Sequence, residues 1–258
     1  MQNETQITAS IVLYNEDFNE LSNSVDSFLK TDLRKKLFLI DNSPQNDLRE
    51  KFVHPEIEYI HTKKNIGFGA GHNKIINKIK NYSTYHLILN PDVSFKPSVI
   101  PKLIEELKKE NDVSMIAPKV LFSNGDHQYT CRRYPSLLEL LTRSSAVFKY
   151  FFSSVIHKGE YYDKDLTKSF YPDFMHGGFL LFKTEDFVSI NGFDERYFLY
   201  MEDVDICRKI DAFGKKKRYF PKEEIIHILK KGSSKNLKLF FIHLISIMKY
   251  FNKWGIKN

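Results

Sequence analysis

The stretch that decides the fold is residues 7–15, ITASIVLYN, an apolar run of strand length that ends in polar residues. A helical spacing of apolar residues follows over Asp17–Lys30, and residues 37–44, LFLIDNSP, are again a short apolar run with a polar end. Residues 86–92, HLILNPD, show the same pattern before a helical segment at Pro97–Glu110. Strands that alternate with helices predict an α/β fold with a mainly parallel central sheet.

Polar residues follow three of the predicted strands. Tyr14 comes after the first strand and Asp41 ends the second. A third strand is predicted at Ile57–Ile60, and Asp92 comes after the fourth. Ligands of parallel α/β sheets bind beyond the carboxyl ends of the strands. The pattern therefore predicts one site assembled from distant parts of the sequence.

Asn90-Pro91-Asp92 has two interpretations. The residues suit a turn that terminates a strand. They also suit a metal site, because Mg²⁺ needs few protein oxygens when a substrate diphosphate and water supply its other ligands. His227 follows a predicted short strand, Glu224–Ile226. A lone histidine is usually structural, but a neutral imidazole at this place could be a further metal ligand.

Glu202-Asp203-Val204-Asp205 opens a predicted helix that runs to Phe213. Acids in a first turn stabilise the helix dipole, which is the simpler interpretation. The alternative is that one acid is a general base that accepts a proton from an attacking hydroxyl. We expect the helix N-terminus to keep such a carboxylate ionised.

A glycine-rich segment runs from Asn65 to Asn73, with glycines at 67, 69 and 71 ahead of a predicted helix at Ile75–Ile79. Glycines allow a ligand to approach the backbone closely, and a helix N-terminus favours anions. The segment lacks the G-x-G-x-x-G spacing of dinucleotide sites, so it indicates an anion site only in combination with other segments.

The net charge of +7 is concentrated at the C-terminal end of the sequence. Ile225–Asn258 contains seven lysines, no arginine and no acid, so residues 1–224 are balanced at 32 basic and 32 acidic groups. A neutral body argues against a nucleic-acid-binding protein. Asn236–Lys253 is a basic amphipathic segment, which predicts a helix that docks on the body or lies on an anionic membrane surface.

The cysteines and the apolar runs predict a cytoplasmic protein. Cys131 and Cys207 stand alone without metal spacing, as is usual in reducing compartments. The polar Met1–Gln6 runs directly into the first strand and does not have the pattern of a signal peptide. The longest apolar stretch, Leu239–Met248, is too short to span a bilayer.

Together and in this order, the segments resemble glycosyltransferase family 2, within the GT-A fold, and most closely the rhamnosyltransferase-like enzymes of bacterial surface polysaccharide synthesis. The resemblance covers roughly residues 7–250. It is carried by Ser10 to Asn15, Ile40 to Ser43, Asn65 to Asn73, Leu89 to Asp92, Gly177-Gly178-Phe179, Gly192 to Glu195, Glu202 to Asp205, and His227 with Gly232-Ser233-Ser234.

The resemblance implies a donor site for a UDP- or dTDP-sugar. Tyr14 and Asp41 would contact the nucleobase, and Asn65 and Gly67 would lie beside the nucleotide. Asp92 matches the last acid of the family's DxD-type metal motif, although Asn90 replaces the first acid.

The resemblance also implies the catalytic groups. His227 matches the family's downstream metal-binding histidine, so Asp92 and His227 would hold Mg²⁺ or Mn²⁺. Asp203 would be the catalytic base of a single displacement with inversion, with Glu202 supporting it and Asp205 as the alternative base. The acceptor would be a glycan hydroxyl in O-antigen or capsule synthesis, carried on polyprenyl diphosphate at the inner face of the membrane.

We expect residues 1–234 to form the GT-A domain, with a nucleotide-binding half at about 1–118 and an acceptor half at about 119–234, followed by a basic tail at 235–258. Two other functions remain. A nucleotidyltransferase is disfavoured because Asn15-Glu16-Asp17 stands where a basic, glycine-rich loop would be expected. A non-catalytic nucleotide-sugar or glycan-binding protein is disfavoured by the acids at Glu202 and Asp203 together with His227.

Overall fold

The computed structural model describes residues 5–45, 47–144, 150–228 and 236–256. Its central feature is an eight-stranded sheet, made of β1 (Thr5–Leu13), β2 (Lys35–Asp41), β3 (Ile57–His61), β4 (Ser83–Leu89), β5 (Val93–Phe95), β6 (Val113–Leu121), β9 (Phe179–Lys183) and β10 (Lys216–His227). The order of the strands across the sheet is β3-β2-β1-β4-β9-β6-β10-β5. Only β9 and β5 run against the other six strands. The prediction of a mainly parallel sheet is therefore confirmed.

Helices cover both faces of this sheet. Their bounds are α1 (Phe18–Leu29), α2 (Phe68–Asn73), α3 (Ile76–Ile79), α4 (Val99–Lys108), α5 (Leu137–Ser144), α6 (Ser153–Gly159), α7 (Thr184–Ser189), α8 (Glu202–Ala212) and α9 (Leu237–Trp254). A separate two-stranded sheet joins β7 (Cys131–Arg132) to β8 (Phe174–Met175). None of the helices in the described part of the chain combines the length and apolar character needed to cross a bilayer.

Strand β1 shows why the sheet has two cores. Ile7 and Ile11 point to one face and pack in a buried cluster with residues of α1 and α4. A second buried cluster on the other face contains residues of α3, α7 and α8, together with Tyr250 of α9. Residues two apart on a strand share a face, so the alternation in residues 7–13 assigns each side chain to its core.

Strand β10 is much longer than the three-residue strand that the sequence predicted. It extends over Lys216–His227, and its pairing with β6 shifts register between Phe220 and Glu224. The shift surrounds Pro221, which has no backbone N–H to donate to a neighbouring strand. The proline and the flanking charged residues concealed a strand whose last residue, His227, lies beside the edge strand β5.

The polar residues of β1 form a buried hydrogen-bonded chain with two histidines. Thr8 Oγ1 lies 2.9 Å from His86 Nδ1, Ser10 Oγ lies 3.0 Å from His86 Nε2, and the same Oγ lies 2.7 Å from His72 Nδ1. Burial lowers the pKa of His86 to about 3 and the pKa of His72 well below 6.5. This chain ties α2, and with it the glycine-rich segment, to the two central strands.

The buried histidines predict acid lability. Below about pH 6.5 the unfolded chain binds protons that the folded chain cannot, so the free energy of unfolding falls with decreasing pH by up to about 1.4 kcal/mol per pH unit for each histidine. His86→Gln should reduce this slope by about that amount between about pH 5 and pH 6.5, as measured by urea unfolding. The exposed His54 provides the control His54→Gln, which should leave the slope unchanged. An unchanged slope in His86→Gln would mean that His86 is protonated in the folded protein.

Candidate active site

The carboxylate of Asp41 is buried at the carboxyl end of β2. It accepts hydrogen bonds from the backbone N–H of Ser43, at 2.8 Å, and from the hydroxyl of Tyr59. Burial and the bond to Asp41 raise the pKa of Tyr59, so its hydroxyl remains a donor. Leu13 pairs with Asp41 in the β1–β2 register, and Tyr14 follows with 48% of its surface exposed. An accessible aromatic ring thus lies at the neighbouring strand end.

The glycine-rich segment is anchored beside this strand end. Asn65 Oδ1 accepts from the backbone N–H of Gly67 at 3.0 Å, and the Gly67 carbonyl accepts from Asn42 Nδ2 at 3.1 Å. Gly67 has φ +94°, and a Cβ atom there would lie 2.4 Å from the carbonyl oxygen of Phe198. Only glycine fits this position, where the segment meets the loop that precedes α8.

Asp92 and His227 are brought together by strand pairing. The last residues of β10 pair antiparallel with β5, which places His227 opposite Val93. Asp92 Oδ1 then lies 3.2 Å from His227 Nε2. Asn90 Nδ2 lies 3.5 Å from the same ring nitrogen. The two residues that the sequence proposed as metal ligands are therefore neighbours in the folded chain.

The spacing of these two atoms fits a shared divalent cation. Ligands at adjacent positions of one cation lie about 3 Å apart when each bond is about 2.1 Å long. Within the described residues, no group of three or more histidine, cysteine, aspartate or glutamate residues could hold a metal ion. The pair thus suits a cation such as Mg²⁺ or Mn²⁺ that takes its remaining ligands from a diphosphate and water.

Two consecutive glycines connect this pair to the candidate base. A Cβ atom on Gly178 would lie 3.4 Å from the imidazole of His227, and one on Gly177 would lie 3.6 Å from Cβ of Asp203. The backbone N–H of Asn90 also donates to the Gly178 carbonyl at 2.9 Å. Asp203 and His227 therefore both lie in contact distance of the same short backbone segment.

The first turn of α8 differs electrostatically from the expectation. Burial, reinforced by the charge of Asp203, raises the pKa of Glu202 to about 8, and burial also raises the pKa of Asp203. The backbone N–H of Val204 donates to Asp203 Oδ1 at 2.9 Å and offsets part of the effect. We expected the helix N-terminus to keep the general base ionised. In this turn the loss of solvent opposes the helix dipole and outweighs it at Glu202.

The surroundings of the Glu202 carboxyl group favour its protonated form. Its Oε2 atom is buried and has no hydrogen-bond partner among the described residues. An ionised carboxylate in that position would be costly, whereas a protonated one is tolerated. The backbone N–H of Val204 stabilises the ionised form of Asp203, which makes Asp203 the better candidate for a base.

Asp205 has a different role from the alternative base that the sequence suggested. It is fully buried, and its Oδ1 accepts from Lys253 Nζ at 2.8 Å and from Trp254 Nε1 at 2.7 Å. These donors belong to α9. The carboxylate therefore holds the C-terminal helix against α8.

Sequence reasoning missed two residues at the site. Tyr59 donates to Asp41, and Gln128 contacts His227 through both ends of its amide. Tyr59 lies within an ordinary predicted strand, and Gln128 lies in a region without clear periodicity, so no local signal identified them. Gly232-Ser233-Ser234, which contributed to the family resemblance, lies outside the described residues.

Family models match most of the chain. The model described as glycosyl transferase family 2 matches residues 8–188. A second model, described as the N-terminal domain of galactosyltransferase, matches residues 163–231. The two matches together include each of the candidate site residues discussed above.

Curated relatives resemble the chain over most of its length. It is 26% identical over 211 residues to the N-acetylglucosaminyl-diphospho-decaprenol L-rhamnosyltransferase of Mycobacterium tuberculosis, covering 77% of this chain and 68% of that protein. It is 27% identical over 193 residues to the rhamnosyltransferase WbbL of Escherichia coli, covering 71% and 69% respectively.

Solved structures share the fold at low identity. GalNAc-T7, solved with UDP, GalNAc and Mn²⁺, matches with a TM-score of 0.67 and 18% identity over 89% of this chain, which spans 44% of that chain. TarS of S. aureus, residues 1–349, matches with a TM-score of 0.58 and 12% identity over 86% of this chain and 60% of its own. These matches confirm the GT-A fold, and the family model that covers more than half of the residues shows that the chain belongs to glycosyltransferase family 2.

Proposed function

We propose that this protein is an inverting glycosyltransferase that moves a sugar from a UDP- or dTDP-sugar to an acceptor hydroxyl in bacterial cell-surface polysaccharide synthesis. The observation that carries the proposal is the convergence of Asp203 with the Asp92–His227 pair around Gly177 and Gly178. The names of the two curated relatives favour rhamnose as the sugar.

The donor nucleotide would bind across the ends of β1 and β2. The exposed ring of Tyr14 offers a surface for the base, and the carboxylate of Asp41 keeps lone pairs that can accept the N3–H of uracil or thymine. Asn65 and Gly67 would border the nucleotide, since their mutual hydrogen bond fixes the loop next to Asn42.

Asp92 and His227 would hold a divalent cation beside the donor diphosphate. When bound, Mg²⁺ or Mn²⁺ supplies Lewis-acid stabilisation of the negative charge on the leaving group. The aspartate oxygen and the imidazole nitrogen suit either ion. Asn90 adds an amide to this edge in place of the missing first acid, without adding charge.

Asp203 would act as the general base. The acceptor oxygen attacks C1 of the donor sugar from the face opposite the diphosphate and transfers its proton to Asp203. The bond between C1 and the diphosphate oxygen breaks, and the nucleoside diphosphate leaves with the electron pair. The protonated Glu202 beside Asp203 limits the negative charge in the first turn of α8.

The acceptor would be a glycan carried on polyprenyl diphosphate at the cytoplasmic face of the membrane, in keeping with the name of the mycobacterial relative. Helix α9 suits this place, because it docks through the face that carries Ser246 and Tyr250 and exposes apolar side chains elsewhere on its surface. Tyr250 is buried, whereas Phe241 is 57% exposed and Met248 is 60% exposed. The lysines that flank and follow the helix in the sequence complement an anionic lipid surface.

The first prediction concerns the base. Asp203→Asn should reduce kcat about 100-fold or more, because the acceptor proton loses its recipient, while donor binding persists. Glu202→Gln is isosteric with protonated Glu202 and should retain most of the activity at neutral pH. Sugar transfer and nucleotide binding should be measured on both variants. Nucleotide binding without turnover in the unmodified protein would favour a non-catalytic nucleotide-sugar-binding protein.

The second prediction concerns the metal and the nucleotide. UDP or dTDP should raise the melting temperature in the presence of Mn²⁺ or Mg²⁺, and EDTA should abolish the increase, because ligands that bind only the folded state stabilise it. Asp92→Ala and His227→Ala should lose the metal-dependent part. Asp26→Ala, which alters an exposed acid on α1, is the control that should behave as the unmodified protein. A metal-dependent shift that survives in Asp92→Ala would place the cation elsewhere.

The third prediction concerns the membrane. The double variant Phe241→Ser/Met248→Ser should have an affinity for vesicles that contain anionic phospholipid that is lower by about 10-fold or more, since each change removes one large apolar side chain. Co-sedimentation with the vesicles measures this affinity. Transfer to a soluble acceptor should persist. Val53→Ser removes an apolar side chain that is 85% exposed in the loop before β3 and should bind vesicles normally. Equal binding by the double variant would exclude α9 as the membrane contact.

A further inference from the structure

A tight hairpin brings Gln128 beside the end of β10. The backbone N–H of Phe122 donates to the Asp126 carbonyl at 2.8 Å, and the turn includes Gly125 with φ +88°. Leu121 and His127 form an isolated antiparallel β-bridge. The backbone N–H of Gln128 donates to the Val120 carbonyl at 2.9 Å. The chain thus turns back along β6 and places a buried amide against the last residue of β10.

The contacts of this amide determine its orientation. Gln128 Nε2 donates to the His227 carbonyl at 2.6 Å and to the Leu121 carbonyl at 3.2 Å. Carbonyl oxygens only accept, so the atom that faces both of them must be the nitrogen. The remaining atom, Oε1, therefore lies 3.2 Å from His227 Nδ1.

This orientation determines the tautomer of His227. An amide oxygen can only accept, so Nδ1 must carry the hydrogen. In the neutral imidazole the lone pair then resides on Nε2, which lies 3.2 Å from Asp92 Oδ1. Asn90 Nδ2 faces the same lone pair as a donor at the longer distance of 3.5 Å. The Asp92 carboxylate faces it as a second acceptor, and a cation bound by both groups would remove the repulsion between them.

We propose that Gln128 is the positioning residue of the candidate metal site, because its amide fixes the Nδ1–H tautomer of His227 and directs Nε2 at the ion. This role of Gln128 rests on the proposed function only in assuming that Asp92 and His227 bind a divalent cation. Gln128 is only 9% exposed, so water does not readily replace its hydrogen bonds. Gln128 comes from the half of the chain that was expected to bind the acceptor, and it would position a ligand of the cation that binds the donor diphosphate.

The test compares Gln128→Met, which keeps the length of the side chain but cannot make these hydrogen bonds, with the unmodified protein. Mn²⁺ is titrated in the absence of nucleotide, and the free ion is followed by electron paramagnetic resonance. We expect Mn²⁺ to bind 10- to 100-fold more weakly to the variant, the usual effect of removing a partner of a metal-bound histidine. His127→Gln, in the same hairpin and packed on Tyr129, is the matched control and should bind Mn²⁺ normally.

A second measurement reports the tautomer directly. Nitrogen-15 NMR of the metal-free protein should show His227 with its hydrogen on Nδ1, and Gln128→Met should shift the population towards the Nε2–H form that imidazole favours in water. A purely structural role for Gln128 would alter the melting temperature without changing the tautomer.

The outcomes separate this proposal from the proposed function. Equal Mn²⁺ affinity in Gln128→Met and the unmodified protein, or an Nε2–H tautomer in the unmodified protein, would overturn the role of Gln128. If the unmodified protein binds no Mn²⁺, the metal site of the proposed function is wrong. In that case the tautomer still tests Gln128, because the same His227 tautomer in Gln128→Met and in the unmodified protein would overturn the positioning role as well.

Discussion

The antiparallel pairing of β5 with the end of β10 is the constraint on which the candidate active site depends. The backbone N–H of Ile228 donates to the carbonyl of Asp92 at 3.0 Å, and this bond extends the pairing one residue beyond the strands. It brings a carboxylate that follows β4 to an imidazole from the far end of the sequence. A one-residue shift would turn His227 to the opposite face and separate the two groups.

The start of α8 is held in place from several directions. Tyr200 and Met201 both have positive φ, at 70° and 67°, an arrangement that costs roughly 1–3 kcal/mol per residue when tertiary contacts do not enforce it. Helix α9 supplies such contacts, since Ser246 Oγ donates to the Leu199 carbonyl at 2.8 Å and the His243 ring packs on Tyr200. The same loop reaches the glycine-rich segment, where the Phe198 carbonyl accepts from the backbone N–H of Phe68. The candidate base is therefore positioned by both the C-terminal helix and the nucleotide side.

The contact between α8 and α9 also links the candidate base to the exposed apolar surface of α9. Helix α9 anchors on Asp205, two residues after the candidate base, and carries its exposed apolar side chains away from the face that docks. A surface that contacts lipid would thus be connected by a few hydrogen bonds to the turn that carries Asp203. This connection suits an enzyme whose acceptor hydroxyl is presented at a bilayer.

The sequence alone determined the alternation of strands and helices, the polar strand ends at Tyr14, Asp41 and Asp92, and the acidic helix start at Glu202, because these features depend on local periodicity and on turn chemistry. The length of β10 could not be predicted, since Pro221 interrupts the pattern that pairing with β6 tolerates. The raised pKa of Glu202 and the contact between Gln128 and His227 were decided only by the tertiary structure. The pKa of a carboxyl group depends on how much solvent the fold removes, and a hydrogen bond between residues far apart in sequence depends on strand register, neither of which is encoded within a short stretch of chain.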